Sequence, residues 1–409
     1  LPAAASFPIP TPRLLAQGPI WFAERAAFIT TADDPTTPES YIARCESQKT
    51  IAQRVLGAPE QSYGRAFLGQ PRPHSVAWSL GFKRSRQRFW MDANGDLTIE
   101  TRTVRQLPAA DTPRLASDSN GRFFFGLESW VMEGRHPDPA PALTHTLQAR
   151  RDGIEIEQTS LAAPLDGRVL DGPEVGERDL ACLVRFRFRN AGLTRQPARL
   201  GLSYSSSSGR TPNPYGTTRD PSRFNSWLVP NSPREALSLD GDVIFGRWHD
   251  RSVFRARVET GMEGRQDGAG LAFTRELDPG ETCEVLLKVP FVPPDSPKEQ
   301  QALRALKFDE LRSALAAMWA REQEPGCRLK TPVPQLDELQ KSHLTYVQIS
   351  DPAMPGQPDL VNTSVGTSTY SNCGNESCMI NEELDQRGLL DEARKRLEVW
   401  VKYQGTEPL

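Results

Sequence analysis

The chain has 409 residues, 49 Lys and Arg against 52 Asp and Glu, a net charge of −3 and a charged fraction of 25%. That near-balance supplies no global field to draw nucleic acid or an anionic membrane, and no apolar run approaches the ~18–20 residues of a membrane span. The length suits two or three domains of ~100 to 200 residues each. The opening stretch "LPAAASFPIPTPRLL" has neither the basic nor the apolar region of an intact signal peptide, which leaves prior removal of a leader open. Six cysteines, Cys45, Cys182, Cys283, Cys327, Cys373 and Cys378, are too scattered for a disulfide-dense scaffold. They leave secreted, periplasmic and cytoplasmic locations all open.

From about Ala77 to Val292, short runs of alternating polarity are separated by turn signals, as in "RFWMDANGDLTIETRTV", "LACLVRFRFRNAGL" and "LAFTRELDPGETCEVLLKVPF". Phe186 and Phe188 fall on one face of their run and Arg185, Arg187 and Arg189 on the other, the period-2 pattern of a half-buried antiparallel strand. Asn94-Gly95, Asp152-Gly153 and Asp240-Gly241 sit where hairpins should reverse the chain. The 35 prolines and 30 glycines punctuate loops throughout, as a large β-sandwich with many turns requires.

At "FVPPDSPKEQ" the pattern changes. Leu311, Leu315, Met318 and Trp319 recur at helical spacing behind Asp309, which is placed to cap, and Pro325-Gly326 ends that helix. "TPVPQLDELQKSHLTYVQIS" predicts another, with Pro334 in its first turn and Leu336, Leu339, Leu344 and Val347 as its apolar face. An aperiodic stretch of about twenty residues rich in Pro, Gly, Ser and Thr follows, and loops of that length are usually functional or disordered. Then come two helices. Met379, Ile380 and Leu384 form the expected inner face of the first, which Gly388 closes in a left-handed conformation. Asp391-Glu392 opens the second, with Ala393, Leu397, Trp400 and Val401 facing inward. The short joint makes them antiparallel neighbours, and such a pair cannot cover all of its own apolar surface.

This order resembles the six-hairpin glycosidase superfamily, which includes glucoamylase-like, trehalase-like and rhamnosidase-like hydrolases and disaccharide phosphorylases. Leu384, Asp385, Gly388, Glu392, Ala393, Trp400 and Gln404 match the recurring phrase LD-x-x-G-x-x-x-E-A with its following tryptophan and glutamine. The resemblance implies a multidomain fold, β then α. It places an antiparallel β-super-sandwich over 1–297, with 1–70 partly irregular or helical, then a linker helix over 298–330. The first hairpins of an (α/α)6 toroid follow over 331–409, cut before the ring closes. It implies an inverting glycoside hydrolase acting on an oligosaccharide or polysaccharide, its two carboxyls ~6.5–9.5 Å apart to admit a water, with general acid and base beyond Leu409. A disaccharide phosphorylase and a non-catalytic glycan-binding or partner-binding module stay open as alternatives. No cofactor and no metal is expected; homodimer formation stays open.

By position, the resemblance assigns Asn375 and Glu376, with Tyr370 and Asn372 on the same loop, to holding the sugar, although glucoamylases carry an Arg-Asp pair there. A carboxylate at a helix start also meets the free N–H groups of the first turn. That description equally fits an ordinary first-turn acid with Asn375 as N-cap, and Tyr370 equally fits a loop aromatic packed on the sandwich. "DANGD" at 92–96 imitates a calcium loop, but Leu97 stands where glycine is required, so a hairpin turn is expected. The cysteines and His74, His136, His145, His249 and His343 lack zinc spacing, and His343 reads as a core histidine. The basic run "FKRSRQRFW", with Lys83, Arg84, Arg86 and Arg88, reads as the solvated face of a strand.

Overall fold

Residues whose polarity alternates along the chain fold as strands, and several of the turns between them fall where glycine supplies a left-handed backbone. The computed structural model describes residues 18–22, 27–31, 33–50, 53, 78–92, 94–100, 121–127, 129–137, 145–169, 178–206, 234–248, 250–354, 356–364 and 374–405. Two compact units divide the chain, residues 1–61 and 62–409. In the first, β1 (Ile20–Phe22) pairs antiparallel with β2 (Ala27–Ile29). There α1 (Pro38–Gln48) opens in a capping box, the side chains of Thr37 and Ser40 each accepting the other's backbone N–H.

The second unit contains β3 (Trp78–Gly81), β4 (Arg88–Met91), β5 (Leu97–Glu100), β6 (Gly121–Phe124), β7 (Val131–Pro137), β8 (His145–Arg151), β9 (Ile154–Pro164) and β10 (Leu180–Asn190). It continues with β11 (Gln196–Ser206), β12 (Leu237–Asp240), β13 (Val243–Trp248), β14 (Arg251–Thr260), β15 (Glu263–Asp267), β16 (Gly270–Leu277) and β17 (Thr282–Pro290). They form an eight-stranded sheet, β12-β13-β14-β17-β10-β9-β8-β7, and a seven-stranded one, β15-β16-β11-β6-β5-β4-β3. Every pairing between described strands is antiparallel. A single apolar cluster joins the two sheets: Leu183 and Phe186 come from one, Phe123, Leu200 and Phe273 from the other. The rings of Phe125 and Phe186 meet edge to face at 4.9 Å.

The predicted alternation holds in β10, where Phe186 and Phe188 are buried and Arg187 and Arg189 exposed. Arg185 departs from it because a helix covers that end: its guanidinium lies 4.0 Å from the centre of the Phe308 ring and donates to Asp309 at 2.8 Å. Asp309 therefore ties the helix to the sandwich and does not cap it; the N-cap is Lys307, with no side-chain cap bond. All three predicted turns reverse the chain. At the β8–β9 turn, Asp152 and Gly153 have φ of 50° and 84°, the primed conformation that matches the twist of the flanking strands.

The "DANGD" segment is the β4–β5 hairpin turn. Asp92 Oδ1 accepts the N–H groups of Asn94 and Asp96 at 2.9 and 3.0 Å, and Asp96 Oδ1 accepts that of Phe125 at 3.0 Å. One Arg122 nitrogen donates to both carboxylates. Burial and the charge of Asp92 raise the Asp96 carboxyl from 3.8 to about 7, against the opposing pull of Arg122 and the Phe125 N–H. The unfolded chain then releases this proton at lower pH than the folded one, so the contribution of Asp96 to stability falls as pH rises from about 4 to about 7. Unfolding titrations at successive pH values should show the wild type losing stability relative to Asp96→Asn across that window; parallel curves would refute the assignment.

Helices follow β17, the last strand of the sandwich. Ser296 and Glu299 form a capping box for α2 (Pro297–Ala305), and α3 (Phe308–Gln323) buries Leu311, Leu315, Met318 and Trp319 as predicted. The linker region thus holds two helices where one was expected; the S-x-x-E pattern at 296–299 marked the first. Then come α4 (Pro334–Ser350), a hairpin of β18 (Ala353–Met354) and β19 (Gln357–Val361), α5 (Gly374–Gln386) and α6 (Leu390–Tyr403). The β18–β19 hairpin occupies part of the stretch read as aperiodic.

Candidate active site

The α5–α6 hairpin is set by its joint. Gly388, at φ 78°, ends α5 in a Schellman motif: Leu389 N–H reaches Leu384 O at 2.9 Å and Gly388 N–H reaches Asp385 O at 2.9 Å. Leu384, Leu389 and Ala393 then pack with Leu344 of α4 in a small apolar cluster. α4 runs antiparallel to α5, since Arg387 donates to Gln340 O at 3.0 Å and Glu383 lies 3.2 Å from His343 Nδ1. His343 is half-exposed among these charges and is not the core histidine expected.

Beyond that cluster the interface turns polar. On α5 the buried residues are Ser377, Asn381 and Leu384, and on α6 they are Ala393, Arg396 and Val399. The predicted faces hold in part: Leu384 and Ala393 are buried with Ile380 packed against them, but Met379 is 64% exposed, Leu397 44%, Trp400 38% and Val401 69%. Leu336 and Leu339 of α4 are exposed as well. The cause lies in the sandwich. The β3–β4 loop delivers the basic run to the helices, where Arg84 and Arg88 are buried, and the helices turn their matching charges toward it. The reading of this run as a solvated face is thereby overturned.

Glu392 is the hub. Its carboxylate accepts from Arg84 at 2.7 Å and from Arg396 at 3.1 Å and lies within 3.6 Å of Lys83 and 3.4 Å of Lys395. Burial opposes ionisation of Glu392, but Lys83, Arg84, Arg396 and Lys395 outweigh it and hold the carboxyl well below the usual range. Arg396 Nε donates to Asp351 at 2.8 Å, and Asp351 also accepts the Ser364 N–H at 2.8 Å. Asp351 is fully buried; burial pushes its carboxyl up against the opposing charges of Arg396 and Arg88. The loop is held by its backbone too. Arg84 N–H meets Gln348 O at 3.4 Å and Arg84 O accepts the Ala353 N–H at 2.9 Å. These contacts hold Arg84 at φ 59°, a region that costs a non-glycine residue energy unless its surroundings enforce it.

Several buried polar atoms of these elements have no hydrogen-bond partner among the described residues: Ser377 Oγ and both Asn381 amide atoms on α5, both Gln348 amide atoms on α4 and Thr363 Oγ1 after β19. Such groups cost free energy when unmade. Of the predicted sugar-binding residues, Asn375 is exposed and Glu376 half-buried in the first turn of α5. The helix begins at Gly374, so Asn375 is not its N-cap. Tyr370 and Asn372, like Cys373, lie outside the described residues. Cys182 and Cys283 are buried free thiols, and Cys45, Cys327 and Cys378 are exposed free thiols. No group of three or more candidate metal ligands occurs among the described residues, and no described helix is long and apolar enough to cross a membrane.

No family profile and no curated protein matches the sequence. Solved structures do. A bacterial glucoamylase complexed with acarbose aligns at TM-score 0.41 and 9% identity, over 85% of this chain and 52% of that one. A family GH92 α-mannosidase from Bacteroides thetaiotaomicron in complex with mannoimidazole aligns at 0.21 and 9%, over 76% of this chain and 42% of that one. Both neighbours are glycoside hydrolases, and the chain spans about half the length of each.

Proposed function

We propose that this chain supplies the β-super-sandwich and first helical hairpins of an inverting glycoside hydrolase acting on an oligosaccharide or polysaccharide. The observation that carries the reading is the mixed polarity of α5 and α6. Beside Leu384, Ala393 and Val399 they bury Ser377, Asn381 and Arg396, while Met379, Leu397, Trp400 and Val401 are exposed. Exposed apolar surface of this kind marks an interface, and further hairpins continuing the same layer are its natural cover.

In this reading the unpartnered Asn381 and Ser377 form the polar floor of a sugar pocket, and Asn375, Glu376, Tyr370 and Asn372 hold the sugar at its rim. Glu376, beside the free N–H groups of the first turn, accepts hydroxyl hydrogen bonds. The general acid and base come from the covering hairpins, spaced ~6.5–9.5 Å apart as inversion requires.

The test is reducing-sugar release from malto-, manno- and cello-oligosaccharides by the intact protein, with the anomer of the first product read by proton NMR. The expected product has inverted configuration, and Glu376→Gln raises KM by about tenfold or more, the loss of one charge-assisted hydrogen bond. Residues 1–409 alone should release nothing. Hydrolysis by residues 1–409, abolished in Glu376→Ala, would overturn the division of labour; phosphate-dependent release of a sugar phosphate would identify a phosphorylase instead.

A further inference from the structure

We infer that a groove on the β-sandwich, separate from the helical layer, binds a neutral oligosaccharide. It has a volume of about 520 Å³, within the ~300–1,000 Å³ of small-molecule sites. None of its described lining residues belongs to α2–α6 or to the β3–β4 loop. It opens beside the segment where the chain leaves β6 in the seven-stranded sheet for β7 in the eight-stranded one.

The floor is made by glycine. Gly201 stands within β11, where its neighbours on the outward face, Pro197 and Arg199, also line the groove. A Cβ built on Gly201 would meet no atom of the described residues within 4 Å, so among them the missing side chain faces open space. A strand glycine of this kind is costly to the fold and commonly marks close approach of a ligand. The approach of Gly126 does not account for it, since that contact is made by the Gly201 backbone, 3.7 Å from where a Gly126 Cβ would sit. Trp130 forms a wall. Its ring centre lies 6.4 Å from that of Phe188, edge to face, which anchors the indole in the core while part of it stays accessible.

The rim selects the ligand's charge. Arg199 donates to Asp267 at 2.6 Å, and Arg151 donates to Asp152 at 3.2 Å. Two arginines and two aspartates leave no net charge. An anion would face Asp152 and Asp267, and a cation would face Arg151 and Arg199. A polyhydroxyl ligand, both donor and acceptor, can bond to all four, and its C–H face can lie on the indole.

Isothermal titration of residues 1–409 with maltohexaose, cellohexaose and β-1,4-mannohexaose tests the inference. Saturable binding of at least one is expected. Trp130→Ala and Gly201→Gln should each weaken it by about tenfold or more, the loss of one stacked or filled contact. Gly201→Gln, whose new side chain enters open space, should keep the thermal midpoint and so separates binding from folding. No binding of any of the three, or equal binding by both variants, would overturn it, as would groove-dependent binding of inorganic phosphate. The outcome is independent of the proposed pocket: in the longer protein proposed above, groove variants leave hydrolysis of the shortest oligosaccharide cleaved unchanged, and Glu376→Gln leaves groove binding unchanged.

Discussion

Replacing Arg396 by alanine is expected to destabilise residues 62–409 by about 3–5 kcal/mol, the range for leaving one member of a buried ion pair alone. Arg396 is 1% exposed and its partner Asp351 is 0% exposed, so water cannot take the place of the guanidinium. The same substitution deprives Glu392 of one of its cations, but Lys83, Arg84 and Lys395 remain there. Most of the loss therefore falls on Asp351. A double-mutant cycle isolates it: with Asp351→Asn in place, Arg396→Ala should cost less by about 1–3 kcal/mol. Urea unfolding measures both, with an unchanged slope showing that the midpoint reports stability. A cost for Arg396→Ala below about 1 kcal/mol, as for an exposed pair, would remove the network from its place at the centre of the fold.

That network also marks where sequence reading stops. The sheets were legible because one face of each strand meets a core and the other solvent, so Phe186 and Arg187 announce their sides. Gly388 was legible because its backbone conformation is one that few other residues adopt. The faces of α5 and α6 were legible only at Leu384 and Ala393, because periodicity assumes that every apolar residue of the stripe points inward. Here Glu392 and Arg396 point inward, since the β3–β4 loop, some three hundred residues earlier in the chain, brings Lys83 and Arg84 to meet them. A pairing between segments so far apart leaves no local trace. Asp351 was hidden for the same reason: it reads as the first residue of a loop, and only its contacts with Ser364 and Arg396 show that the loop is anchored. Gly201 and Trp130, by contrast, were visible as residues but carry no pattern until two sheets bring them to one groove.

The outward apolar face should respond to substitution in opposite ways in the short chain and in the intact protein. In residues 1–409, Met379, Leu397 and Val401 are largely in contact with solvent. Changing all three to glutamine should leave the unfolding free energy within about 0.5 kcal/mol per site, as for other surface positions. In the longer protein proposed above, hairpins covering this face would bury the same side chains. Full burial of Leu, Val or Met is worth about 1.5–3 kcal/mol each, so each substitution should cost a large part of that and the triple should impair docking of the helical layer. The contrast between the two proteins is what carries the information. Substitutions neutral in both would mean that the face is ordinary surface and that the glycosidase reading has lost its support. Substitutions costly in residues 1–409 would mean that these side chains are already packed there, and that no apolar face is left to cover.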